Sequence, residues 1–113
     1  MKMPIDREAF SAFVEQSGIF ATAQKSMGQC LKNWYIDEWE PFTDDMRADL
    51  ETVMRTYHFH NAMVSFNKDF RFDPPLDTIT CIITINDDED DHCVFYRAIF
   101  DCDLNIIDDV ISP

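Results

Sequence analysis

Two histidines that lie close together are the first residues in this chain that could support chemistry. His58 and His60 are two residues apart, so on a β-strand their side chains share one face. Imidazole nitrogens are common metal ligands, and a zinc site normally needs three or four protein ligands. No third ligand follows at an obvious spacing. We therefore expect no metal and no cofactor.

Nucleophilic catalysis has little support in the residue pattern. No serine or cysteine lies in a recognisable nucleophile motif, and with only two glycines the chain has no Gly-rich phosphate loop. The cysteines form no C-x-x-C pair, which argues against a structural zinc site. We expect reduced thiols that pack mainly as small hydrophobic side chains, and we expect that the protein is not an enzyme. These cysteines are Cys30, Cys81, Cys93 and Cys102.

A run of five acidic residues, 87–91, offers oxygen ligands to a cation. A calcium-binding EF-hand loop spaces its ligands at intervals, with a central glycine and a terminal glutamate. The run lacks that layout, so it predicts weak and non-specific cation binding at most. Neighbouring carboxylates repel one another, and the run is either a solvated loop or a surface for a basic partner.

The net charge of −13 is concentrated in the last third of the chain. Residues 73–113 hold eleven carboxylates and one cation, Arg97, whereas residues 1–72 hold eleven carboxylates and eight cations. Such a field repels nucleic acid and anionic membranes and attracts a basic protein. Aliphatic and aromatic residues alternate with the acids, which is not typical of a disordered acidic tail. We therefore expect the charge to be carried by a folded sheet.

Hydrophobic periodicity predicts helices in the first half of the chain. Apolar residues recur every seven positions from Phe13 to Trp34, which predicts a helix over about 6–34, capped by Asp6 and open to a break near Gly18 or Gly28. Residues 34–41 are expected to be a connector because Pro41 disfavours helical geometry at the preceding residue. A second helix is predicted over about 43–57, with Thr43 as its N-cap.

The period changes to two after residue 58, which predicts strands. Their expected bounds are about 60–72, 78–85, 93–101 and 106–111, with the first either one long strand or two short ones. The expected fold is a single α+β domain over residues 1–113, with two N-terminal helices packed on a three- to four-stranded antiparallel meander.

The connector and the chain ends bear on partners and location. Trp34 and Trp39 lie among acids in the connector, where they either cap the core or, as exposed aromatics, anchor a protein partner. The N-terminus turns polar at once and no apolar run approaches the length of a membrane span, so we expect a cytoplasmic protein. The sequence does not determine the oligomeric state.

The predicted partner-binding surface combines the carboxylates of the last third with one aromatic residue. A basic partner would be steered by the acids and retained by the aromatic anchor. The residues are Asp87, Asp88, Glu89, Asp90, Asp91, Asp101, Asp103, Asp108, Asp109 and Trp39.

The closing segment 96–109, with the sequence YRAIFDCDLNIIDD, resembles the final hairpin of immunity proteins from bacterial polymorphic toxin systems, including contact-dependent growth inhibition. In those proteins a strand ending in Phe-Asp turns into a strand that carries paired aspartates. A glycine often found in that turn is replaced here by Leu104-Asn105, where asparagine tolerates the left-handed conformation.

The resemblance implies a protein that binds and neutralises a cognate toxin, often a basic nuclease domain, by covering its active site. Three other hypotheses stay open. The chain is alternatively a non-catalytic acidic adaptor whose charge keeps it soluble, a nucleic-acid mimic that binds a DNA-binding protein, or a metal protein or enzyme that uses His58 and His60.

Overall fold

The structure is a computed structural model that describes residues 6–89 and 92–112, which form an α+β fold. Four helical segments come first: α1 Arg7–Ser17, α2 Ile19–Asp37, α3 Trp39–Met46 and α4 Leu50–Thr56. Four strands follow: β1 His58–Asp69, β2 Leu76–Asn86, β3 Cys93–Phe100 and β4 Ile106–Ser112. The strands form one antiparallel sheet in the order β1-β2-β3-β4, which confirms the predicted meander.

The helix predicted over 6–34 is two segments and extends further than expected. Asp6 caps α1, as predicted, because its carboxylate accepts a 2.7 Å hydrogen bond from the Ala9 N–H. Gly18 adopts the left-handed conformation with φ of 65° and separates α1 from α2, since glycine has no Cβ to oppose that geometry. Gly28 does not end the helix, and α2 continues to Asp37.

The predicted connector 34–41 is largely helical, so that prediction is wrong. Pro41 is the third residue of α3, where its missing N–H has no helical acceptor to bond in any case. Thr43 is therefore not an N-cap but lies inside α3, and its hydroxyl donates to the Trp39 carbonyl at 2.7 Å. Proline in a first turn is compatible with a helix, and this competing rule decided the outcome.

The single helix predicted over 43–57 is also wrong, because α3 and α4 are separate. Arg47 takes the left-handed conformation with φ of 61° and terminates α3. Asp49 then caps α4 by accepting a 2.9 Å hydrogen bond from the Thr52 N–H. A local cap at Asp49 thus overrides an apolar period that is continuous from Met46 to Tyr57.

The strands β2, β3 and β4 begin and end within about two residues of their predicted bounds, whereas β1 is shifted. β1 ends at Asp69, three residues before the predicted end, because that carboxylate accepts hydrogen bonds from the backbone and guanidinium of Arg71. Phe70 and Phe72 therefore lie beyond β1 with exposed side chains. A bulge between Asn61 and Met63 also interrupts the alternation of β1.

The core lies between the helices and one face of the sheet. Ile79, Cys81, Ile83 and Ile85 of β2 all point inward and are buried, as the alternation predicts. They pack with Leu31 of α2, Phe42 and Met46 of α3, and Val53 of α4. Within the described residues, no helix has both the length and the apolar character that crossing a membrane requires.

Candidate functional site

The acidic loop between β2 and β3 is attached to helix α3. Asp87 and His92 close the loop through a backbone hydrogen bond of 3.0 Å from the Asp87 N–H to the His92 carbonyl. The His92 ring reaches across to α3, where Nε2 lies 2.6 Å from the carbonyl oxygen of Asp45. Since a carbonyl can only accept, Nε2 donates this hydrogen bond. This hydrogen bond connects the end of the loop to the last turn of α3.

This attachment brings together acids that are distant in the sequence. Asp44 and Asp45 end α3 beside the loop that carries Asp87, Asp88 and Glu89. We call these five residues the acidic end. Asp90 and Asp91, which were also predicted for the site, lie outside the described residues.

Trp39 occupies the other end of α3, about 9 Å along the helix axis from Asp45. Its side chain is 58% exposed, whereas Trp34 is half-buried against Phe42 with ring centroids 4.8 Å apart. Only Trp34 therefore helps to close the core. Trp39 is the one large aromatic side chain on the exposed surface of α3, on the helix that also holds the acidic loop.

The negative charges of the acidic end affect the pKa of Tyr57, which lies at the junction of α4 and β1 and contacts the end of α3. Tyr57 donates a short hydrogen bond to the Met46 carbonyl, and its pKa is raised by burial first and then by the charges of Asp87 and Asp88. Arg47 opposes this effect. A raised tyrosine pKa is the expected response to negative potential.

Few of these carboxylates are neutralised by cations. The three ion pairs found between described residues are Arg55–Glu51, Lys68–Asp77 and Arg71–Asp69. None of them includes Asp44, Asp45, Asp88 or Glu89. No lysine or arginine of the described residues therefore forms an ion pair with these four carboxylates.

The carboxylates of the β3–β4 turn lie far from this end. Asp101 and Asp103 are separated from the loop by the eight residues of β3, a distance of about 26 Å. The Asp101 side chain accepts hydrogen bonds from the N–H groups of Asp103 and Asn105 at 2.9 and 3.0 Å. Leu104, not Asn105, takes the left-handed conformation of this turn, with φ of 65°. Asp101 thus stabilises a turn, and of these two carboxylates only Asp103 is exposed.

Asp108 and Asp109 are neighbours in β4 but face opposite sides of the sheet. Asp109 pairs with Ala98, which faces the helices, and its carboxylate accepts a 2.9 Å hydrogen bond from the Tyr96 hydroxyl. Burial and then this hydrogen bond raise the pKa of Tyr96. Asp108 pairs with Ile99 on the other face. The structure therefore places Trp39 on the helix that the loop contacts, and it places Asp101, Asp103, Asp108 and Asp109 on the β3–β4 turn and β4.

The histidine pair and the cysteines form no further centre among the described residues. The rings of His58 and His60 stack with centroids 6.2 Å apart and an interplanar angle of 14°. No group of three His, Cys, Asp or Glu side chains in residues 6–89 and 92–112 is arranged to hold a metal ion. All four cysteines are free thiols, and burial raises the pKa of Cys81 to about 11.

The residues that sequence analysis missed are Asp44, Asp45 and His92. A usable signal for the two aspartates was present, because residues 33–46 contain five acids and no lysine or arginine. His92 had no such signal, since its contact with Asp45 joins residues 47 positions apart. No family model, curated protein or solved structure matches this chain.

Proposed function

We propose that this chain is an immunity protein, which binds a basic, nuclease-type toxin domain through its acidic end and covers the toxin's active site. The observation that best supports the proposal is the His92–Asp45 hydrogen bond, which fixes the acidic loop on the helix that exposes Trp39. The resemblance of the closing hairpin 96–109 to those of immunity proteins supports the same class.

The proposed inhibition follows from charge complementarity. A nuclease binds phosphates with cationic side chains, and carboxylates can occupy the same positions. Asp44, Asp45, Asp88 and Glu89 are available for this role, since no cation of the described chain pairs with them. The field of the protein would also steer the basic toxin and raise the association rate to about 10⁸ M⁻¹s⁻¹ at low salt.

Trp39 has a different role in the proposal. Exposed tryptophans near charged surfaces contribute large apolar contact area, and such anchors mainly slow dissociation. Trp39 lies on the same helix as Asp44 and Asp45, so one rigid element would carry both the steering charge and the anchor. The complex is expected to form in the cytoplasm, where a nuclease toxin meets its substrate, without catalysis or a cofactor.

The proposal is tested by growth rescue in the native genetic context. Each protein encoded next to this chain is expressed alone and then together with it. We expect one neighbour to arrest growth alone and to be neutralised on co-expression. The absence of any toxic neighbour that this protein neutralises would overturn the immunity assignment, as would stable capture of a DNA-binding protein instead.

A variant in which four carboxylates of the acidic end are replaced by amides tests whether the acidic end is the toxin-binding site. Asp44→Asn, Asp45→Asn, Asp88→Asn and Glu89→Gln are combined, which removes four charges and leaves the Asp45 carbonyl in place. The matched control removes four exposed charges elsewhere, by Glu8→Gln, Glu15→Gln, Asp73→Asn and Asp103→Asn. We expect the first variant to lose rescue and the control to keep it. Equal rescue by the two variants would exclude the acidic end as the site.

A further inference from the structure

One face of the sheet is open to solvent among the described residues. β3 alternates strictly, with Val94, Tyr96, Ala98 and Phe100 buried and the residues between them exposed or half-buried. The register places Ile82, Arg97 and Val110 in one row across β2, β3 and β4 on this second face. The buried side chains of the helices belong to the core on the opposite side. We call the open side the outer face.

The outer face carries several exposed apolar side chains although no helix covers it, and polar side chains of β1 and β2, among them Ser65, Thr80 and Thr84, share the face with them. Phe95 is 44% exposed, Met63 47% and Ile107 49%. Ile82 and Ile99 are half-buried between them, and Val110 is exposed. A cavity near the start of β4 is lined by apolar side chains, including Ile99 and Ile107, and by polar ones, including Thr78 and Asp108. Exposed apolar patches rimmed by polar residues often mark interaction sites.

Charge distinguishes the outer face from the rest of the molecule. Arg97, the one cation in residues 73–113, lies in its central row. Arg97 makes no ion pair with any described residue. Asp108 is its diagonal neighbour on β4, because Val110 pairs with Arg97 and Asp108 with Ile99. Diagonal neighbours are about 7–8 Å apart, so a positive and a negative group lie side by side near the centre of the face.

A positive group beside a negative group makes the outer face self-complementary. In a two-fold dimer the same patch contacts itself, so a contact from residue i to residue j occurs twice. An axis that passes between Arg97 and Asp108 would bring each arginine against the aspartate of the other copy. The apolar side chains around them would meet their own counterparts. The acids of the loop would stay outside such an interface, because the acidic end lies where the loop meets α3.

We propose that the outer face binds the outer face of a second copy of this chain, in a two-fold dimer held by apolar contact and two Arg97–Asp108 ion pairs. This charge complementarity favours a second copy as the occupant, because the strands place only Asp69 and Asp108 among the acids on this face, whereas other surfaces of a chain with net charge −13 repel a second copy.

The area of the outer face indicates how strongly two copies should associate. Four strands spaced about 4.8 Å apart, with about eight residues each, form a face of about 20 by 25 Å, or about 500 Å². Two copies would then bury about 1,000 Å², which is the lower end for specific interfaces. We therefore expect reversible dimerisation with a dissociation constant of about 10–100 µM.

Dimerisation and binding of a basic partner should depend on salt concentration in opposite directions. Screening reduces the repulsion between two copies of net charge −13, so raising NaCl from about 0.05 M to about 0.5 M should strengthen dimerisation. The same change should weaken binding of a basic protein to the acidic end. Failure of one proposal is therefore distinguishable from failure of the other.

Sedimentation equilibrium between about 10 and 500 µM protein tests the proposal. We expect Arg97→Asp and Asp108→Arg each to weaken dimerisation at least tenfold, and the double variant Arg97→Asp with Asp108→Arg to restore it to within about threefold. The control Lys25→Asp changes the net charge as Arg97→Asp does, but at an exposed position of α2.

Circular dichroism of each variant checks that the fold is retained. A wild-type protein that stays monomeric at every concentration would overturn the proposal, even if another molecule proved to occupy the outer face. A double variant as weak as the single variants would also overturn it, as would an equal effect of Lys25→Asp.

Discussion

At the level of single residues, the acidic end depends on the contact between His92 and Asp45. The carbonyl of Asp45 lies at the end of α3, where helix carbonyls have no partner within the helix. An imidazole N–H satisfies this acceptor at 2.6 Å and at the same time fixes the loop. One hydrogen bond therefore couples the end of the β2–β3 loop to the helical layer.

Replacing this imidazole should have a measurable effect on stability. His92→Ala is expected to lower the free energy of unfolding by about 1 kcal/mol, because it removes one hydrogen bond between a side chain and the backbone. Urea unfolding gives the value. His60→Ala is the matched control, since this exposed ring has a stacking contact only, and we expect a change below about 0.5 kcal/mol. Equal losses in the two variants would contradict the role of His92.

Because the Cys81 thiol is buried, we expect the protein to lose stability at alkaline pH. This thiol is fully buried in β2, and burial raises its pKa from 9.0 to about 11. Between these pH values the folded protein keeps a proton that the unfolded chain loses, so stability is complete below pH 9 and falls as pH rises towards 11. The contribution lost by pH 11 is about 2 kcal/mol.

Urea unfolding at pH 8 to 11 measures this dependence. Cys81→Ala removes the titrating group, so its stability should fall less steeply than that of the wild type over the same range. The variant will be less stable at every pH because it leaves a small cavity, and only the slope is informative. Parallel slopes for the wild type and the variant would show that Cys81 does not retain its proton.

At the level of elements, the sequence predicted the strands better than the helices. Alternation is a two-residue pattern that burial on one face enforces, and β2 follows it from Ile79 to Ile85. Helix boundaries depend on single residues that leave the apolar period unchanged. Arg47 in the left-handed conformation and Pro41 in a first turn both altered the helices without disturbing that period.

The break between α3 and α4 can be tested with two arginines of opposite expected effect. Arg47→Gly should raise the free energy of unfolding by about 0.5–1 kcal/mol, since glycine adopts φ of 61° without steric cost. Arg55→Gly, within α4, should lower it by about 1 kcal/mol through the poor helix propensity of glycine. Thermal unfolding of both variants gives the signs. Destabilisation by Arg47→Gly equal to that of Arg55→Gly would argue for a continuous helix.

At the level of the whole molecule, the two proposed surfaces differ in chemistry. The acidic end combines carboxylates of the β2–β3 loop and of α3, the helix that also carries Trp39, whereas the outer face carries exposed apolar side chains with Arg97 near its centre. The sequence predicted the excess of carboxylates but not how the fold distributes them between different surfaces. Asp108 and Asp109 point to opposite faces, and Asp44 joins the loop only through the contacts of α3. Such groupings arise from long-range packing, which local periodicity does not encode.

The central claim is that the acidic end is the surface that binds a basic toxin. The most direct measurement is the dissociation constant of the purified protein for the neighbouring toxin, by isothermal titration calorimetry. We expect the variant neutralised at Asp44, Asp45, Asp88 and Glu89 to bind at least about 100-fold more weakly than the wild type. The control neutralised at Glu8, Glu15, Asp73 and Asp103 should bind within about fivefold of the wild type. Equal weakening in both variants would mean that only net charge matters, and unchanged affinity of the first variant would contradict the claim.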